Sequence, residues 1–124
     1  MKVLCVCNSG NVRSVTLGRM LKKRGAEVLC CGVDKAYRYD TIHMLYNWAD
    51  VVYAQKDSEP RLRAMLSLPT LEIYSSGLES SKIDTRFDVG PDDWKYPEHP
   101  DLHRRIRDML MSDEEWSGKD SDNA

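Results

Sequence analysis

The chain has 124 residues, with 18 Lys+Arg against 20 Asp+Glu and a formal net charge of −2; this suits one domain with a real hydrophobic core and is too little for two. Acidic and basic residues are interspersed along most of its length, so no broad cationic face points to nonspecific nucleic-acid binding, while a narrow pocket for an anionic ligand stays open. No apolar run approaches the ~20 residues of a membrane span and the run after Lys2 is too short for a signal-peptide core, so a cytoplasmic protein without membrane contact is expected.

Val3–Val6 is a short apolar run suited to a buried strand over about residues 2–6. Cys7-Asn8-Ser9-Gly10-Asn11-Val12-Arg13-Ser14 follows as a loop. From Ser14 the apolar residues Leu17, Met20 and Leu21 fall at helical spacing, predicting a helix over roughly 14–24 that Gly25 ends as a left-handed residue. Gly18 weakens that helix intrinsically and permits close packing on a sheet. Val28–Cys31, ended by Gly32, reads as a second buried parallel strand, and 34–40 as a polar loop. Ile42, Leu45, Tyr46 and Ala49 mark a second helix with Asp40 or Thr41 as its cap. Val51–Ala54 is a third strand, Ser58 and Pro60 open a third helix with Leu62, Met65 and Leu66 inward, and Leu71, Ile73 and Tyr74 suggest a fourth strand.

Residues 75–98 keep no helical period and read as a long loop, functional or disordered. A fourth helix begins near Pro100, with Leu102, Ile106, Met109 and Leu110 on one face; Arg104, Arg105 and Arg107 form its solvated side. The domain is expected to span residues 1–112, followed by an acidic, polar and flexible tail over 113–124. Short strands alternating with helices predict an α/β three-layer sandwich, a four-stranded parallel sheet of order 2-1-3-4 flanked by helices.

The four cysteines, Cys5, Cys7, Cys30 and Cys31, form a close pair and an adjacent pair. Neither arrangement suits a disulfide framework or Cys-x-x-Cys metal spacing, so reduced thiols are expected. Cys5, Cys30 and Cys31 read as strand packing, and His43, His99 and His103 as helix-surface or cap residues; no metal and no cofactor is expected.

The loop after the first strand is the candidate site. A strand passing through a Gly-containing turn into a helix aims unpaired N–H groups and the positive end of the helix dipole at the loop, which with Arg13 favours a thiolate at Cys7. Phosphoryl transfer to sulfur needs a nucleophile, a cradle for phosphate oxygens, a proton donor for the leaving oxygen and a base for water. Cys7 supplies the first. The amides of Asn8, Ser9, Gly10, Asn11, Val12 and Arg13 with the Arg13 fork supply the second, Asn11 bracing the loop and Ser14 donating to the sulfur. Asp92, in Pro91-Asp92-Asp93-Trp94, is the candidate acid with Asp93 as the alternative, and Tyr37, Trp94 and Tyr96 are candidates for an aromatic lip around a substrate ring.

Cys7 through Ser14 resembles the Cys-x5-Arg-Ser phosphate loop of low-molecular-weight protein tyrosine phosphatases, which also follows the first strand. Pro91-Asp92-Asp93-Trp94 resembles that family's late acid segment, and Trp48-Ala49-Asp50 before Val51 its passage into the third strand, so the likeness runs over about residues 2–110 and is nearest to the compact branch of predicted tyrosine phosphatases. In the family a second cysteine commonly precedes the arginine; Val12 stands there in this chain. The resemblance implies hydrolysis of phosphate monoesters, phosphotyrosine first, through a cysteinyl-phosphate. The partner is then a phosphorylated protein or a small phosphomonoester. Two other readings remain open: an arsenate reductase-like enzyme, for which Cys5, Cys30 and Cys31 are the available resolving thiols, and a module that binds phosphate without turnover.

Overall fold

A computed structural model of the chain describes residues 1–34, 39–67 and 82–119. Its elements in order are β1 (Lys2–Cys7), α1 (Arg13–Lys23), β2 (Glu27–Gly32), α2 (Tyr39–Trp48), β3 (Val51–Ala54), α3 (Glu59–Leu66), β4 (Ile83–Asp84), α4 (Pro100–Met111) and α5 (Glu114–Ser117). The four strands form one parallel sheet in the order β2-β1-β3-β4, the architecture expected from the sequence. Among the described residues no helix is long and apolar enough to cross a membrane.

β1 is central, pairing Cys7 with Gly32 on one side and Val6 with Ala54 on the other. Successive side chains of a strand point to opposite faces, so a strand covered on both faces reads as an unbroken apolar run. Val3 and Cys5 accordingly join Leu17, Leu21, Leu102, Ile106 and Leu110 under α1 and α4. Leu4 and Val6 join Ile42, Tyr46, Leu62 and Leu66 under α2 and α3. Gly18 lets α1 lie close to the sheet: a Cβ there would come within 2.9 Å of Cys30 Sγ and Val28 Cγ1. Gly25 ends the turn after α1 with φ +94°.

Four local expectations need correction. β2 is an edge strand with Leu29 and Cys30 exposed, and is not the fully buried strand its apolar run suggests. The fourth strand of the sheet is β4, inside the stretch read as loop; Leu71, Ile73 and Tyr74 lie outside the described residues. His43, expected at a surface, shares the inward side of α2 with Ile42 and Tyr46 and is buried; among the described residues neither of its ring nitrogens is hydrogen-bonded. His99 does cap α4, its Nδ1 accepting from Asp101 N at 3.2 Å.

The fourth correction concerns the tail. Asp113 caps α5 by accepting from Glu115 N at 2.9 Å, and this single turn carries Trp116 into the α1/α4 core with 1% of its surface exposed. Trp116 Nε1 donates to Tyr53 Oη at 3.0 Å, and burial pushes the Tyr53 hydroxyl up to about 12, so it stays a neutral acceptor. The packed domain therefore runs past residue 112; residues 120–124 lie outside the described part. Trp116→Ala is expected to destabilise the protein by about 3–5 kcal/mol, as buried aromatic truncations do, read as a lower urea midpoint. A midpoint within about 0.5 kcal/mol of wild type, the range of surface substitutions, would show that the segment is a free tail.

Candidate active site

The site lies at the carboxyl ends of β1, β2 and β3, where open parallel sheets place their ligands. Cys7 is the last residue of β1 and Arg13 the first of α1, so residues 8–12 make the whole connection between them. Two bonds extend β1/β2 pairing into it: Val33 N donates to Cys7 O at 3.1 Å and Asp34 N to Asn8 O at 2.8 Å. The loop then turns back across the end of β2. Gly10 has φ +75°, and a Cβ on it would sit 2.6 Å from Gly32 N. A Cβ on Gly32 would sit 2.3 Å from Ser9 C. Two glycines thus let two backbones touch, a contact any side chain would block.

This closure wraps the loop around the buried Cys7 sulfur. Gly10 N donates to Cys7 Sγ at 3.2 Å, and the Cys7 thiol donates to Ser14 Oγ at 3.3 Å; with the sulfur ionised, the Ser14 hydroxyl becomes the donor. Asn11 N donates to Ser9 Oγ at 3.2 Å, tightening the turn.

Arg13 is completely buried. As the first residue of α1 its side chain leans back toward the helix N-terminus and hence over the loop. Its Nη1 donates to Asp57 Oδ1 at 2.8 Å and to Gly90 O at 2.6 Å, and Asp92 Oδ1 lies 3.7 Å from its Nε. Among the described residues Nε and Nη2 have no hydrogen-bond partner. These two nitrogens form the outer edge of the guanidinium fork, the edge that binds two oxygens of a carboxylate or phosphate at once.

The structure thus brings Cys7, Gly10, Arg13, Ser14 and Asp92 together, and Ser9 and Val12 complete the loop. It revises the role of Asn11, which is exposed and whose side chain makes no hydrogen bond among the described residues. Asn8 does the bracing instead: Nδ2 donates to Asp57 Oδ2 at 3.1 Å, and Oδ1 accepts from Ser58 Oγ at 2.8 Å. Ser58 therefore spends its hydroxyl on the loop, not on the end of α3. Trp94 is packed against the α1/α4 core, with Nε1 donating to Val89 O at 3.3 Å and the Arg105 guanidinium 5.5 Å from its ring; it fills the space beneath its own loop. Tyr96 is exposed, its ring 5.4 Å from that of His99. Tyr37 lies outside the described residues.

Asp57, Gln55 and Gly32 were not singled out from the sequence. Gln55, buried just after β3, donates from Nε2 to Phe87 O at 2.7 Å and accepts at Oε1 from Val89 N at 2.9 Å, which ties the acid-bearing loop to the sheet. The available signal was position, since Gly32 ends a strand and Gln55–Ser58 follow one.

All four cysteines are unbridged. Cys30 Sγ donates to Ser14 O at 3.3 Å, and hydrogen bonding with the Cys5 thiol lowers the Cys30 thiol while raising that of Cys5. Burial pushes Cys31 up to about 12. Among the described residues no group of three or more His, Cys, Asp or Glu has metal-binding geometry. Comparison with protein-family models, with curated proteins and with solved structures gives no match.

Gly32→Ala is expected to move the loop by on the order of 1 Å and weaken orthovanadate binding about 10²-fold, the usual cost of such a displacement in a preorganised site. Calorimetric titration checks this against Gly118→Ala, where a Cβ meets nothing within 4 Å. Equal affinity in the two variants would mean that the glycine contact does not set the loop.

Proposed function

We propose that the chain is a cysteine-dependent phosphatase that hydrolyses phosphate monoesters, phosphotyrosine foremost, through a cysteinyl-phosphate. The observation that carries this reading is the buried Arg13 fork at the end of the Cys7 loop: among the described residues its Nε and Nη2 have no hydrogen-bond partner, and Asp92 Oδ1 lies 3.7 Å from Nε. A phosphoryl group held on those nitrogens and the loop amides would satisfy donors that are otherwise costly to bury. The resemblance of Cys7–Ser14 and Pro91–Trp94 to low-molecular-weight protein tyrosine phosphatases supports the same reading. Unbridged thiols suit a reducing compartment such as the cytoplasm.

In this mechanism Cys7 sulfur attacks phosphorus in line, forming the S–P bond as the ester P–O bond breaks. Asp92, protonated, gives its proton to the leaving oxygen. Asp92, now a carboxylate, takes a proton from water as that water attacks phosphorus and the S–P bond breaks, releasing inorganic phosphate and the sulfur. Arg13 and the loop amides hold the equatorial oxygens and offset the charge that spreads over them. No electron is transferred, and the proton taken up from Asp92 in the first half is returned to it in the second.

An aryl phosphate assay tests the reading. Cys7→Ser is expected to abolish turnover, a loss of about 10⁶-fold like that of other nucleophile deletions. Asp92→Asn is expected to lower kcat by about 10²–10⁴-fold, the scale of general acid–base catalysis, and Asp93→Asn to do much less, because among the described residues Asp92 is the member of the pair beside Arg13. Unchanged hydrolysis by Cys7→Ser would sink the mechanism. Tight orthovanadate binding without turnover in wild type would favour the non-catalytic phosphate-binding module.

The ion pair with Asp57 gives a separate expectation. Asp57→Ala removes the carboxylate that Arg13 Nη1 and Asn8 Nδ2 share and leaves Nη1 with Gly90 O, so KM for the aryl phosphate should rise about tenfold or more as the fork loses its orientation, within the 10²-fold cost of misplacement. Asp57→Asn, which keeps an acceptor, should recover part of it. A fall in kcat with KM unchanged would instead make Asp57 a proton-transfer group.

A further inference from the structure

A second recess lies beside α1, outside the loop that holds Cys7. It encloses about 620 Å³, has a floor of Met20 and Pro97, and is rimmed by Arg19, Lys22, Lys23 and His103. Among the described residues that line it, three cationic side chains, Arg19, Lys22 and Lys23, accompany one carboxylate, Glu98. Glu98, the one carboxylate among the described lining residues, pairs with Arg19 at 2.8 Å, and both side chains are more than half exposed, so that pair is open to exchange for another carboxylate at little cost. The hydrogen bond from Arg19 lowers the Glu98 carboxyl even at the surface, the response expected of a carboxylate placed beside that guanidinium.

The recess begins one helical turn from Arg13 along α1. Thr16 also lines it, and the Thr16 hydroxyl bridges the two segments that build the site, bonding Val12 O at 3.1 Å and Pro97 O at 2.8 Å. Thr16, Arg19, Met20 and Lys23 recur at i, i+3, i+4 and i+7, one stripe of a helix that begins at Arg13. At 1.5 Å per residue the stripe from Arg13 to Lys23 is about 15 Å long. An extended peptide covers that length in about five residues.

We propose that this recess docks the acidic flank of a phosphorylated polypeptide whose phosphoryl group sits on Arg13, so that the natural substrate is a phosphoprotein with Asp or Glu within about five residues of the phosphorylated side chain. The inference rests on the phosphatase reading and adds the substrate class to it. The apolar floor accepts the stems of the flanking residues, and the cations on its rim accept their carboxylates. Such contacts are exposed, so they act mainly on binding and weaken with salt.

The test uses the full chain and two phosphotyrosine peptides of equal length, one flanked by Glu and Asp, the other by Gln and Asn. Binding is read by fluorescence anisotropy on Cys7→Ser, which traps the peptide without turnover, with and without Lys22→Glu and Lys23→Glu. Aryl phosphate hydrolysis is read separately on wild type and on Lys22→Glu/Lys23→Glu. The acidic peptide is expected to bind about five- to tenfold tighter at low salt, the sum of a few exposed ion pairs, with the preference lost in the double reversal and in 0.5 M salt while aryl phosphate turnover is unchanged. Equal binding of the two peptides, or a preference that survives the reversal, would overturn the docking proposal and leave the phosphatase reading intact. Loss of aryl phosphate turnover only in Cys7→Ser and Asp92→Asn supports that reading whichever way the peptides divide. Tighter binding of single-stranded RNA or of phosphatidylserine vesicles than of the acidic peptide, abolished by the same reversal, would assign the recess to that ligand and overturn the proposal.

Discussion

The contact between Gly10 and Gly32 is the constraint on which the rest of the site depends. A five-residue connection between a strand end and a helix start can take many shapes, and most would leave Cys7 at the edge of a loose turn. Here the loop crosses the end of β2 at a distance only two Cβ-less residues allow, and the bonds from Val33 N and Asp34 N carry sheet pairing past the last strand residues. The loop is in effect an extension of the sheet. Its backbone path is fixed before any ligand arrives, which lowers the ordering cost that ligand binding would otherwise incur.

Closing the loop also fixes Arg13, and a fully buried guanidinium is the most demanding group in the molecule. An isolated charge in the interior costs many kcal/mol, so it must be paired and hydrogen-bonded. Asp57 and Gly90 satisfy one nitrogen from two different segments, and Asp92 approaches a second. The electrostatic demand of one side chain thereby gathers the β1/α1 loop, the turn after β3 and the acid-bearing loop at one point. Asn8 and Ser58 add a second link between the first two of these, so Asp57 is held from two directions and not by Arg13 alone. Among the described residues Nε and Nη2 of the fork have no hydrogen-bond partner, and this asymmetry makes a structural ion pair a candidate oxyanion site.

Much of this was legible from the residues and some was not, for identifiable reasons. The sheet order could be read because each central strand is covered on both faces and so appears as a continuous apolar run. The same rule misjudged β2, since an edge strand can carry Leu29 and Cys30 at its surface and still look apolar. Cys7, Arg13 and Asp92 stood out because their chemistry is tied to side-chain type. Gly32 did not, because its role is the absence of a Cβ opposite a loop whose path no local pattern specifies. Asp57 and Gln55 were hidden for a related reason: a carboxylate and an amide after a strand are ordinary turn residues until the fold shows what lies across from them. Trp116 was misread because a stretch of acidic residues around it resembles a solvated tail, although a single turn suffices to bury an indole whose N–H finds the Tyr53 hydroxyl.

That buried indole bears on the acid as well. The loop from β4 to α4 is not free along its length: Phe87 and Val89 are both core residues, Phe87 packs edge-on against Tyr53 at 4.8 Å, and Gln55 bonds Phe87 O and Val89 N. Tyr53 in turn holds Trp116, and Arg86, stacked over Tyr53 and Phe87, pairs with Asp113 at 2.6 Å. Beyond these anchors Gly90 to Asp93 remains as the short exposed tip that meets Arg13. The position of Asp92 is therefore set by packing on the α1/α4 side of the sheet. A loop anchored this way is a preformed wall of the candidate site, and the placement of Asp92 is coupled to the stability of a helix that does not touch that site.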